Sequence, residues 1–304
     1  MKEEAFLDII KSVIGDKYIG DDCAYLKDMG IVISQDSLVE DVHFSLKYTT
    51  PYRLGYKSAM VNISDIAASG GRGKYITVAL SLPKNIDENF IKEFYSGLND
   101  AVKKYDIEIV GGDLTGSDKI MVSVTVLGTT EGRRISSRSN AKAGQVVVTS
   151  GVHGSSAYGL ELLKSNKPVS DSERIKYITP HLCPEAQVEF GRTIAENIGE
   201  DYAMMDSSDG LADVLYKIAT ASDKTIVVDF EKVKYEKGLD SNLVLFGGED
   251  YQIVATVPFD FAKKYNLDII GYVAEKIENV PVKIENINGS ELVINNLDNS
   301  FNHF

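Results

Sequence analysis

In the stretch MMDSSDGLADVLYKIA, residues 204–219, Asp206 ends an apolar run and Asp209 follows just before Gly210 and an amphipathic segment. Two chemistries suit acids placed at such a junction. Ser208 or Asp209 can cap a helix by accepting hydrogen bonds from the free N–H groups of its first turn. Alternatively, Asp206 and Asp209 can hold a metal ion. The same grammar, a small or apolar stretch and then an acid beside Gly, Ser or another acid, recurs in GDDCA (Asp21, Asp22), ISQDSL (Asp36), NISDIAASGG (Asp65) and IVGGDLTG (Asp113). Any one of these alone reads as a turn or cap, where aspartate normally sits. Asp65 is harder to set aside. It lies inside a helix-like run before Ile66-Ala67-Ala68, where a short acid gains nothing as a helix former.

Together, Asp22, Asp36, Asp65, Asp113, Asp206 and Asp209 suit a hard-cation site. Mg²⁺ keeps several waters and takes few carboxylates per ion, so this many acids imply more than one ion. Such ions usually serve a polyphosphate. Gly111-Gly112 ahead of Asp113 fits, because bare backbone can approach a phosphate where side chains could not. No Walker, kinase or Rossmann glycine pattern is present. A nucleotide enzyme built this way must rely on metals and carboxylates.

The elements that must carry these acids can be read from periodicity. Residues 4–14 form an amphipathic helix closed by Gly15. IVIS (31–34) and VHFSL (42–46) read as strands. Thr50-Pro51 caps and opens a helix that Gly70-Gly71 ends. YITVALSL (75–82) is a strand, Asp87 caps a helix with Phe90, Phe94, Leu98 and Val102 four apart, and 107–110 and 119–130 are strands. A polar, basic stretch at 131–145 marks a boundary, giving an N-terminal domain over 1–137 and a C-terminal domain over 138–304. Beyond it come a strand at 145–150, helices near 155–165 and 184–198, the strand–helix unit around Asp206, a strand at 225–230, the GGEDYQIVATV strand and a hairpin at Asn288-Gly289. This alternation argues two α/β (α+β) domains.

At 304 residues, 43% hydrophobic and 25% charged, the chain has room for two cores and the balance of an ordinary globular protein. A net charge of −13 argues against nucleic-acid or anionic-membrane partners, which require a basic surface. Cys23 and Cys183 are too few and too distant for a disulfide framework or thiolate metal site. The start, MKEEAFLDII, lacks the basic flank and apolar core of a signal peptide, and no apolar run approaches a membrane span. A cytoplasmic protein is expected.

In order, GDDCA, SQDSLVEDVHF, LGYKSAMVNISDIAASGG, IVGGDLTG, SVTVLG, RSNAKAGQVVVTSG, MDSSDGLADVL and FGGEDYQI resemble the thiamine-monophosphate kinase family. That family belongs to an ATP-binding superfamily that includes AIR synthase, selenophosphate synthetase and a hydrogenase maturation protein. The resemblance implies a two-domain AIR synthase-like fold, a homodimer paired through the N-terminal domain, and Mg²⁺-dependent transfer of the ATP γ-phosphoryl group to thiamine monophosphate. It implies Mg²⁺ at Asp22, Asp36, Asp65, Asp113, Asp206 and Asp209, with Ser34 and Gln35 lining that site. It implies nucleotide contacts at Tyr95, Gly112, Asp113, Arg138 and Ser208, and thiamine-phosphate contacts at His43, Glu249 and Phe301.

Read without it, His43 is a half-exposed strand histidine, Arg138 a solvated charge, Tyr95 a packing residue, Glu249 a strand start and Phe301 a docked tail. The chain departs from the family pattern at Ser207, at Asp41 where glycine is frequent, at Ser155, and in HLCPEAQ (181–187), which lacks the usual arginines. The alternatives are another enzyme of the superfamily, of hydrogenase-maturation or selenophosphate-synthetase type, or a non-catalytic Mg–nucleotide sensor. The phosphate acceptor is largely deprotonated at neutral pH, so the chemistry needs charge neutralisation and alignment more than a general base.

Overall fold

The computed structural model describes residues 3–165 and 167–299. Its first part runs α1 (Glu3–Ile14), β1 (Ala24–Leu26), β2 (Ile31–Val39), α2 (Pro51–Ser69), β3 (Arg72–Leu82), α3 (Glu88–Lys103), β4 (Glu108–Gly116) and β5 (Met121–Thr129). The five strands form one sheet in the order β1-β2-β5-β3-β4. Only β3 and β4 pair in parallel, because α3 carries the chain back between them. One face of the sheet, with Val78, Leu80, Val122, Val124 and Val126, is buried against α2 and α3. On its other face Gln35, Ser37, Tyr75, Ala79 and Met121 are exposed.

Local signals set the limits of α2 and α3. The Thr50 side chain accepts from the Arg53 N–H, Pro51 occupies the first turn, and Gly70 closes α2 at φ 83°. The Asp87 side chain accepts from the Phe90 N–H to start α3. The two helices touch backbone to backbone: a Cβ on Gly55 would lie 1.9 Å from the Phe94 carbonyl oxygen, and one on Gly97 1.8 Å from that of Tyr52.

The second part runs β6 (Val146–Thr149), α4 (Ser155–Lys164), α5 (Asp171–Glu173), a π-type turn (Arg174–Ile178), α6 (Thr179–Leu182), α7 (Val188–Asn197), β7 (Met204–Asp206) and α8 (Leu211–Ala221). It continues through β8 (Lys224–Asp229), α9 (Ser241–Phe246), β9 (Ile253–Val257), α10 (Phe259–Lys264), β10 (Asp268–Glu275), β11 (Val282–Ile287) and β12 (Ser290–Ile294). Its seven strands order as β12-β11-β8-β10-β6-β9-β7. A shared core joins the two parts: Ala67 and Ala68 of α2 pack with Ile194 of α7, Met204 and Ile253. Gly191 allows this, since a Cβ there would sit 2.2 Å from the Ala67 carbonyl oxygen.

Three expectations need correction. VHFSL is not a strand; residues 41–48 are mostly turns, with a single bridge between Glu40 and Phe44. β2 ends at Val39 because its carbonyl accepts from both Val42 and His43, and Asp41 turns the chain at φ 62°. That left-handed conformation suits the glycine frequent in the resembled family. The Gly111-Gly112-Asp113 segment is an edge strand, not a turn. Glycine at 112 is demanded by the sheet itself, since a Cβ there would lie 1.9 Å from the Val78 carbonyl oxygen. Finally, residues 247–252 precede β9 as an irregular loop, with Glu249 and Tyr251 at φ 65° and 51°. Among the described residues no helix is long and apolar enough to cross a membrane.

Candidate active site

Between the two parts lies a cleft of about 890 Å³. Asp22, Asp65 and Asp206 meet in it, each offering a carboxylate oxygen within 4.8 Å of the others. Each arrives on a different element. Asp22 precedes β1, Asp65 sits on α2, and Asp206 ends β7. Hydroxyls of α2 and β2 orient them: Ser34 Oγ donates to Asp65, and Ser64 Oγ donates to Asp206. Burial pushes Asp65 and Asp206 well above the usual carboxylate range, and Asp36 and Asp22 push both further. Burial also raises Asp22, against the Arg138 guanidinium, whose Nη2 lies 2.6 Å from Asp22 Oδ1. Hard oxygen donors this close, disfavouring each other's charge, fit Mg²⁺.

Asp36 also lines the cleft, on a β2 residue whose N–H donates to Asn62 Oδ1 at 2.9 Å. Asp209 lines it too, 3.5 Å from Lys217 Nζ, and stands outside the close trio. The capping alternative fails, because the N-cap of α8 is Gly210 and among the described residues no side chain caps it. Ser208 and Arg138 line the same cleft, and Arg138 is further fixed by its backbone N–H donating to Asp21. Among the described residues its buried Nε finds no partner, leaving a donor for an anion. Gln35 reaches the rim, although its side-chain oxygen accepts from Thr125 at 3.1 Å.

The same cleft is also lined by His43 and Glu249. His43 Nδ1 accepts from the Val39 N–H at 3.0 Å, which places the ring proton on Nε2. Glu249 is flanked by Lys57 at 2.8 Å and His181 at 3.3 Å. Burial opposes the charge of Glu249, but the Lys57 ammonium outweighs it and lowers its pKa, while burial lowers His181 to about 4 and leaves that ring neutral near pH 7.

Three expected residues lie elsewhere. Gly112 and Asp113 are on exposed β4, three strands from β2 and so about 14 Å away across the sheet. Asp113 pairs in register with Ala79, placing it on the open face. Tyr95 packs on α3 with its ring edge-on to Phe94, against the first core. Phe301 lies outside the described residues.

The sequence reading missed Lys57, His181, Lys217 and Asp213. Lys57, Val61 and Asp65 recur four apart on α2, as do Asp209, Asp213 and Lys217 through α8, and that spacing could have exposed both cations. Lys217 Nζ lies 2.8 Å from Asp213 Oδ2. His181, on the short α6, carries no such local signal.

Comparison with known proteins agrees with this architecture. The family model "AIR synthase related protein, N-terminal domain" matches residues 20–130, the span of the five-stranded sheet. The thiamine-monophosphate kinase of Bacillus subtilis (strain 168) is 39% identical over 283 residues, 85% of each chain. That of Synechococcus elongatus is 32% identical over 317 residues, covering 99% of this chain and 96% of the relative. A solved structure described as AaThiL complexed with AMPPCP and TMP superposes with a TM-score of 0.88 at 32% identity, covering 100% of this chain and 97% of that one. A HypE–HypF complex, at 20% identity and a TM-score of 0.75, shares the fold. With relatives this similar along most of its length, the chain belongs to the thiamine-monophosphate kinase family.

Proposed function

We propose that this protein transfers the γ-phosphoryl group of ATP to the phosphate of thiamine monophosphate, giving thiamine diphosphate and ADP. The observation that carries this reading is one continuous cleft lined both by the acid trio and by a His43–Glu249 pair. Asp22, Asp36, Asp65, Asp206 and Asp209 would hold Mg²⁺, with Ser34 orienting Asp65 and Gln35 at the rim. Bound there, Mg²⁺ would neutralise the polyphosphate and help align the transfer. Arg138 and Ser208 would bind nucleotide phosphates, Arg138 turning its guanidinium fork from Asp22 toward them. His43 would donate from Nε2 to the acceptor, and Glu249, with Phe301 of the tail, would receive the thiamine group. No side chain need remove a proton, because a phosphate monoester is already largely ionised near neutral pH.

Asp113 and Gly112 fit this scheme through a second copy. The open face of the five-stranded sheet and its exposed β4 edge form the surface we assign to a homodimer, and that pairing would bring the β4 edge of one copy toward the cleft of the other. The division into units falls at 137/138, between β5 and β6. The acid set serves a kinase better than a nucleotide sensor, which has less need of so many ligands.

Release of ADP, measured in a coupled assay with thiamine monophosphate, thiamine or buffer, with and without Mg²⁺, tests the reading. Turnover confined to thiamine monophosphate plus Mg²⁺ is expected. Equal turnover with all three would return the chain to another activity of its superfamily.

A further inference from the structure

Glu249 sits in a backbone that its neighbours hold very tightly. A Cβ on Gly247 would lie 2.3 Å from the Leu243 carbonyl oxygen, and one on Gly248 2.6 Å from that of Ser208. The Glu249 N–H donates to the Ser208 carbonyl at 2.7 Å, and the Tyr251 N–H to that of Ser207 at 3.2 Å. Glu249 and Tyr251 both adopt left-handed φ, a strained conformation that persists only where surroundings over-determine the chain. The side chain is held as firmly. Lys57 Nζ, on an α2 residue only 4% exposed, lies 2.8 Å from Glu249 Oε1. His181 Nδ1 lies 3.3 Å from Oε2 and 3.0 Å from Ser156 Oγ. Each carboxylate oxygen is thus approached by a different part of the molecule, and the side chain still keeps 24% of its surface open.

We infer that Lys57 and His181 are positioning residues that clamp the Glu249 carboxylate in one orientation within the cleft. This rests on the thiamine-monophosphate reading above and adds the device that sets acceptor specificity. A buried ammonium is tolerated only with a partner, and here the partner is the group that faces the ligand. A fixed anion suits an acceptor that carries a cationic ring and an aminopyrimidine N–H, and it suits a neutral or anionic group poorly. The clamp also ties Glu249 to the acid site. Lys57 projects from the helix that bears Asp65, and Glu249 is bonded through its backbone to the turn that bears Asp206 and Asp209.

The test compares Lys57→Met, His181→Leu and His181→Asn, each alone and combined with Glu249→Ala, in KM for thiamine monophosphate and for ATP. An asparagine amide can place an N–H near the position of Nδ1; leucine cannot. Lys57→Met and His181→Leu should raise KM for thiamine monophosphate about tenfold, the scale of one charge-assisted hydrogen bond, with KM for ATP nearly unchanged. His181→Asn should recover most of the loss. On the Glu249→Ala background neither substitution should add to the defect, because both act through that carboxylate. Additive effects, equal changes in both KM values, or no advantage of asparagine over leucine would overturn the clamp. If Lys57→Met does not fold, as circular dichroism would show, the histidine pair decides alone. A wild type that releases no ADP with thiamine monophosphate removes the functional reading and the clamp together; an active wild type with the contrary variant results removes the clamp only.

Discussion

The acids at the heart of the cleft work against the fold until something neutralises them. Asp22, Asp65 and Asp206 bring oxygens within 4.8 Å of one another; burial raises all three, and neighbouring carboxylates of the site raise Asp65 and Asp206 further. Asp65→Asn keeps an oxygen for the Ser34 hydroxyl and removes one charge. The metal-free variant should therefore melt higher than wild type, by about 2–4 °C for each 1 kcal/mol of relieved repulsion. Its gain in melting temperature on adding Mg²⁺ and a nucleotide analogue should shrink, because that gain reflects binding to the native state. Scanning fluorimetry with and without ligand reads both, and an undiminished ligand shift would remove Asp65 from the site. Asp209→Asn should give less apo stabilisation, since Lys217 already stands 3.5 Å from that carboxylate. A second residue-scale effect lies away from the acids. Burial lowers His153 to about 4, from 6.5 when unfolded. Between those values only the unfolded chain takes the proton, so the contribution is intact above pH 6.5 and lost as pH falls. Measured against His153→Phe, wild-type stability should drop by about 2 kcal/mol on going from pH 6.5 to about pH 5. Denaturant titrations at both pH values check it, and a pH-independent difference would refute a neutral buried ring.

Helix α2 positions more of the site than any other element, supplying Lys57, Ser64 and Asp65 while its Asn62 fixes the β2 backbone at Asp36. Its placement depends on two contacts without side chains, Gly55 against Phe94 and Gly97 against Tyr52. Gly97→Ala raises helix propensity by about 1 kcal/mol, but its methyl would lie 1.8 Å from the Tyr52 carbonyl oxygen. Overpacking of this kind costs about 1–3 kcal/mol or more, and here backbone must move to relieve it. A net loss of stability is expected in urea melts, with weaker Mg²⁺–nucleotide binding as α2 shifts. Unchanged or increased stability would show that the two helices can separate without consequence.

For the molecule as a whole, the open face of the five-stranded sheet is the feature that most needs an explanation. The row Ser37, Ser123, Ala79 and Asp113 crosses it in register, ending on β4, the edge of the sheet among the described residues. If that face pairs with a second copy, wild type should sediment as a dimer. Ala79→Arg, placing a charge in the middle of the face, should yield a folded monomer with greatly reduced kinase activity, since Asp113 would no longer reach a cleft. A fully active monomer would sink both the dimer and the role of Asp113.

Much of this was legible along the chain, and the physical reason is locality. The caps Thr50 and Asp87, the closing Gly70 and the alternation of β3 and β5 depend on neighbours a few residues away, so spacing alone revealed them. The acid motifs were legible for the same reason, because each marks a local break. Their convergence was not. Asp22, Asp65 and Asp206 meet only because the two parts share a core through Ala67, Ala68 and Ile194, and the same packing leaves Asp113 on the far edge. The turn at 41–48 was misread because an alternating pattern is local, whereas the end of β2 is set by carbonyls and a left-handed Asp41. Lys57 and His181 stayed hidden in apolar or unpatterned surroundings, since a buried charge has meaning only beside the partner that a distant segment brings to it.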